Sequence, residues 1–113
     1  MAERSLELLK GTLDLMILRA LSAGPSHGYG VIRWIERATG STLLVEEGSL
    51  YPALYRLEDR AWVTSDWGLS QNNRRARYYR LTPKGRAQLK VEAQDFVRFA
   101  EAVLQLLRAP TEA

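Results

Sequence analysis

Apolar residues recur along the first part of the chain at helical spacing. Leu6, Leu9, Leu13, Ile17 and Ala20 form one stripe, and Leu8, Leu15 and Leu18 add apolar surface on other faces. A helix apolar on more than one side is usually buried on more than one side, which predicts a first helix over about 5–21. "SAGPSHG" breaks the pattern with Gly and Pro. A second helix is expected over about 26–38, with Val31, Ile32 and Ile35 as core residues and Gly40 closing it. In "VEEGSLYPALYRLEDRAWV" (45–63), Leu50, Leu54 and Leu57 share one helical face and predict a third helix from about Ser49 to Arg60. With Ser49 as N-cap, Pro52 is the third helical residue. Amides there have no intrahelical acceptor, so the proline forfeits no hydrogen bond.

The period then changes from 3.6 to 2. "WVTSDWG" and "RARYYRL" alternate as paired strands do, and "LSQNNR" between them is polar enough for a hairpin tip. The last segment opens at "TPKG", with Thr82 as N-cap and Pro83 at the first helical position, and continues to about Leu107. In it Leu89, Ala93, Phe96, Ala100, Val103 and Leu107 alternate at spacings of four and three, a heptad seam. Val97 with Leu104, and Phe99 with Leu106, add further apolar rows that one small domain is too small to cover. The expected fold is mainly α with a small β-hairpin: a winged helix-turn-helix over 1–82 and one long C-terminal dimerisation helix over 83–113. In that layout the third helix enters the major groove and the hairpin is the wing.

Charge sharpens this reading. The 113-residue chain has a net charge of +3, but residues 41–61 carry two bases against four acids. Residues 62–86 hold Arg74, Arg75, Arg77, Arg80, Lys84 and Arg86 against Asp66 alone, a local +5. A local basic patch suggests a polyanionic partner. Cysteine is absent, which removes disulfides, thiolate nucleophiles and cysteine-based zinc sites together. The N-terminal stretch mixes acids and bases with its leucines, so neither a secretory leader nor a membrane span is expected, and a cytoplasmic location is. With one histidine, no Gly-rich phosphate loop and no carboxylates at metal-ligand spacing, no enzyme, cofactor or metal is expected. His27 reads as a structural loop residue.

Several blocks, in order, resemble the PadR-like family of transcriptional regulators. "LKGTLDLMILRAL" (9–21) is similar to the family's opening helix and "HGYGVIRWIE" (27–36) to its second. "EEGSLYPALYRLEDRAWV" (46–63) resembles its recognition-helix block, and "NNRRARYYRLTPKGRAQL" (72–89) its wing and the turn into the last helix. The single C-terminal helix resembles the shorter branch of the family, whose members are dimers. The resemblance implies a DNA-binding regulator, and in that branch flat aromatic compounds bind an apolar space between the last helices.

The expected DNA contacts are Ser49, Tyr51, Pro52, Tyr55 and Arg56 on the third helix, and Arg74, Arg75 and Arg77 on the wing. Lys10 and Tyr29 are weaker candidates for backbone contacts. Ser49 and Pro52 serve as capping residues, as free-amide donors to phosphate, or as both. Tyr55 is either the rim of the core or a contact, while the resemblance favours Tyr51 as a contact. Arg56 has donors for guanine or phosphate. Because Glu46, Glu47, Glu58 and Asp59 make this block acidic, affinity must come from the wing. The expected dimer interface is Leu6, Leu9, Leu89, Ala93, Phe96, Ala100, Val103 and Leu107. Phe96 and Phe99 either line a pocket for a small aromatic effector or fill the core. The expected partners are double-stranded DNA and a second copy of the chain, a homodimer, with no membrane. The leading function is a ligand-responsive repressor on a near-palindromic operator. The alternative is a winged-helix module for protein–protein assembly without DNA readout.

Overall fold

The computed structural model describes residues 2–111, with side chains from residue 11 onward. Leu6, Leu9 and Lys10 therefore lie outside the described residues as side chains. The element order is α1 (Ala2–Ser22), β1 (Ser26–His27), α2 (Gly28–Ala38), α3 (Glu47–Asp59), β2 (Val63–Leu69), β3 (Arg75–Leu81) and α4 (Pro83–Arg108). The mainly helical winged layout is as expected. The sheet, however, has three strands rather than two, in the antiparallel order β1-β3-β2. β1 is only two residues long, too short for alternation to register in sequence, and it pairs Ser26 with Tyr79 and His27 with Tyr78.

The core lies where the three helical stripes converge. Leu13, Ile17, Leu18 and Leu21 of α1 meet Val31 and Ile35 of α2 and Leu50, Leu54 and Leu57 of α3, capped by Val63 and Leu81 from the wing base. α1 is buried on more than one side, as its several apolar rows require. α2 starts two residues later than the sequence suggests. His27 is its N-cap and accepts a hydrogen bond at Nδ1 from the Gly30 N–H, 3.0 Å away. This makes His27 structural, and its ring also meets Tyr78 edge-on.

The expected cap of α3 is corrected by the structure. Its N-cap is Glu46, without a side-chain cap bond, and the N–H groups of both Ser49 and Leu50 donate to the Glu46 carbonyl at 3.0 Å. Val45 is buried in the core and fixes where the chain turns into the helix, so tertiary packing overrides the capping preference of Ser49. Ser49 becomes the third helical residue and Pro52 the sixth. Pro52 therefore does forfeit a bond, the one its missing amide would give to the Gly48 carbonyl. An interior proline costs about 3 kcal/mol. Full burial of Leu50, Leu54 and Leu57, at about 1.5–3 kcal/mol each, outweighs it.

α2 and α3 end in the same way. The Gly40 N–H donates to Arg37 O and the Ser41 N–H to Glu36 O; the Ala61 N–H donates to Glu58 O and the Trp62 N–H to Leu57 O. This paired closure needs one left-handed residue, supplied by Gly40 at φ +56° in one case and by Ala61 at φ +62° in the other. α4 opens as expected, Thr82 Oγ1 accepting from the Gly85 N–H at 2.9 Å with Pro83 in the first turn. A Cβ at Gly85 would collide with the Trp62 carbonyl, so glycine lets α4 start against the base of the wing. Gly85 is buried, Leu89 rests on the core, and Ala93, Phe96 and Val97 border α1 and α2, whereas Leu104, Leu106 and Leu107 in the last turns of α4 are exposed.

Candidate nucleic-acid interface

Helical geometry puts Leu50, Leu54 and Leu57 inward and leaves Tyr51, Pro52 and Tyr55 on the outer face of α3. Tyr55 is 77% exposed. Tyr51 is 44% exposed and leans toward the start of α2, where a Cβ on Gly28 would lie 2.6 Å from its hydroxyl. Glycine at 28 is what admits the Tyr51 ring to this position. Ser49 is half-buried at the helix start, and that end carries the carboxylates Glu46 and Glu47. Their charge opposes a phosphate there, so the first amides of α3 are a poor anion site.

The wing supplies the cations. The register Trp67↔Arg77 and Leu69↔Arg75 sets Trp67, Leu69, Arg75 and Arg77 on the face of the hairpin that also holds Ser65 and Tyr79. Arg77 is anchored: its Nε donates to Ser65 Oγ at 2.7 Å, Ser65 Oγ donates to Glu58 Oε2 at 2.6 Å, and its Nη2 stands 3.5 Å from the same carboxylate. Arg74 and Arg75 are exposed near the tip. On the opposite face Arg80 pairs with Asp66 at 3.3 Å, an exposed pair of little energetic weight. Burial pushes the Tyr79 hydroxyl above its ordinary pKa, with the nearby positive charge of Arg77 opposing the shift.

α3 and the wing meet across an open cleft of about 500 Å³ lined by Tyr29, Tyr51, Trp67, Arg74, Arg75 and Arg77. It brings together five of the residues singled out from sequence: Tyr29, Tyr51, Arg74, Arg75 and Arg77. Tyr55 and Pro52 lie beside it on the same helix face. Arg56 is placed elsewhere. Its Nη2 donates to Asp14 Oδ1 at 2.8 Å, with Arg60 3.8 Å from the other oxygen, so it ties α3 to α1 instead of standing with the tyrosines. Sequence reasoning missed Trp67, which is 58% exposed in the cleft. Strand alternation puts it on the same face as Arg75 and Arg77, and that was the available signal. A second open cleft of about 610 Å³, edged by Arg33 and Arg37, lies between α2 and the wing tip and extends the basic surface.

Far from the wing, an apolar cleft of about 370 Å³ lies between α1, α2 and α4, lined by Leu15, Met16, Trp34, Leu89, Ala93, Phe96 and Val97. Phe96 thus lines this cleft, and Phe99 is not part of its lining. Ala93, Ala100 and Val103 are half-buried, while Phe99, Leu104, Leu106 and Leu107 are exposed along α4. No group of His, Asp and Glu able to hold a metal occurs among the described residues. No described helix is long and apolar enough to cross a membrane.

Residues 17–91, from the core of α1 through the wing into α4, match the transcriptional regulator PadR-like family. The chain belongs to the PadR-like family. It is similar to a solved transcriptional regulator from Clostridium thermocellum, at 27% identity and a TM-score of 0.80, covering 90% of this chain and 99% of that one. It is also similar to a PadR-like transcriptional regulator from Bacillus cereus, at 28% identity and a TM-score of 0.77, covering 92% and 99%. Over 54 residues it is 39% identical to the Escherichia coli transcriptional regulator YqjI, spanning 48% of this chain and 26% of that protein. PadR-like proteins are DNA-binding regulators of transcription and not enzymes, and this chain is one of them.

Proposed function

We propose that this PadR-like protein is a cytoplasmic repressor that acts as a homodimer on a near-palindromic operator and responds to a small aromatic effector. The observation that carries the reading is the cleft in which Tyr51 of α3 and the arginines of the wing face one open surface. The winged body (1–82) contacts the duplex, and the C-terminal segment (83–113), which carries α4, joins the copies. Tyr51 and Tyr55 offer hydroxyls and rings to base edges or phosphate, Pro52 shapes the same face, and Arg74 and Arg75 neutralise phosphates. Arg77 and Tyr29 border the contact, and Ser49 lies at its upstream end. Arg56 acts on recognition through the Asp14 pair that orients α3. The seam Leu89, Ala93, Phe96, Ala100, Val103 and Leu107 meets the partner copy. The effector enters the cleft at Phe96, next to α1 and α2. A twofold dimer sets the half-sites one helical turn apart, about 34 Å.

A labelled duplex from the DNA upstream of the coding region, titrated with salt, tests this. Salt-sensitive binding is expected. Replacing Arg74 and Arg75 with Ala should weaken binding to all sequences and lower the log–log salt slope by about 0.9 for each phosphate no longer neutralised. Replacing Tyr51 should relax sequence preference instead. Absence of salt-sensitive binding to any duplex would leave protein–protein assembly as the reading.

A further inference from the structure

Three tryptophans occur in the chain. Trp34 and Trp62 pack against the core; Trp67 is 58% exposed and projects from the wing into the cleft. Core packing therefore does not explain its indole. Its neighbours are cationic: the Arg75 guanidinium lies over the ring at 4.7 Å from the centroid and that of Arg77 at 5.8 Å. The two arginines are held very differently. Arg77 is bound to Ser65 and Glu58, and Glu58 belongs to α3. Among the described residues Arg75 has the Trp67 ring and neither a side-chain hydrogen bond nor an ion pair. A continuous series thus runs from the recognition helix outward: Glu58, Ser65 with Arg77, Trp67, Arg75.

We propose that Trp67 is a positioning residue of the DNA-binding wing, holding the otherwise free Arg75 guanidinium at a fixed place relative to α3. The inference rests on the DNA-binding reading above and adds a device to it. A free arginine at a hairpin tip loses rotamer freedom when it meets a phosphate, and a guanidinium already stacked on a flat ring loses less. The ring is stacked in turn on a cation tied to α3 by Glu58. The wing charge is thereby set in register with Tyr51.

The test is fluorescence anisotropy with a fluorescein-labelled mixed-sequence duplex at low and raised salt, using the full chain. Trp67→Ala should weaken binding roughly 2- to 5-fold, the effect of releasing Arg75 from one exposed cation–π contact while Ser65 and Glu58 keep Arg77 in place. Trp67→Phe, which keeps a ring face, should restore most of it. In an Arg75→Ala background Trp67→Ala should add nothing, because the residue through which it acts is gone. A melting curve reports folding, and if Trp67→Ala melts early, Trp67→Leu against Trp67→Phe carries the same contrast. Unchanged affinity in Trp67→Ala, or an equal loss with Arg75 already removed, would overturn the proposal while leaving DNA binding intact. A parent chain without salt-sensitive binding would instead overturn the DNA reading, and this inference with it.

Discussion

Ala61 occupies the position after α3 where Gly40 stands after α2, and both backbones are left-handed there. A Cβ in that region costs about 1–2 kcal/mol, and glycine gives part of this back through its greater freedom in the unfolded chain. Ala61→Gly should therefore stabilise the protein by about 0.5–1 kcal/mol, read as a higher urea midpoint at unchanged slope. Tyr79 gives the pH-dependent counterpart. Burial raises its folded pKa above the ordinary 10.0, so the unfolded chain ionises first as pH rises. The stability from its neutral hydroxyl is complete below pH 10.0 and is lost as pH climbs through the raised folded value. Tyr79→Phe should flatten the alkaline limb of a stability–pH profile, and an unchanged limb would remove Tyr79 as its cause.

At the level of elements, two glycines mark close approaches of different kinds. At Gly85 a Cβ meets a backbone carbonyl that cannot yield, so Gly85→Ala should cost about 1–3 kcal/mol in chemical denaturation. At Gly28 it meets the movable end of Tyr51. Gly28→Ala should leave the urea midpoint nearly unchanged while displacing Tyr51 and altering sequence preference in a binding titration. Neither approach can be read from sequence, since each joins residues of different elements. The helical faces could be read, because Leu13, Ile17, Val31, Ile35, Leu50, Leu54 and Leu57 recur at the period their burial demands. The start of α3 could not, because the burial of Val45, a tertiary fact, decides it over the local appeal of Ser49. Arg56 looked outward for the same reason, its partner Asp14 lying 42 residues away. Strand alternation pointed to the wing arginines and equally to Trp67, but how far that face clears the core depends on where the hairpin leaves the body.

For the whole molecule, the governing feature is an α4 that outruns the body that should cover it. Phe99, Leu104, Leu106 and Leu107 stay exposed on one chain, more apolar surface than a stable monomer commonly leaves to water. Sedimentation at micromolar concentration should find a dimer, and Leu104→Glu with Leu106→Glu should shift it toward monomer without loss of helical content. A stable parent monomer would refute the assembly. In the proposed dimer, α4 would also set how occupancy responds to expression level. If two chains must join before a two-part operator can be gripped, occupancy at low expression follows the square of chain concentration. Doubling synthesis then more than doubles occupancy, and the apolar rows of α4 become a threshold that separates stray expression from a committed response.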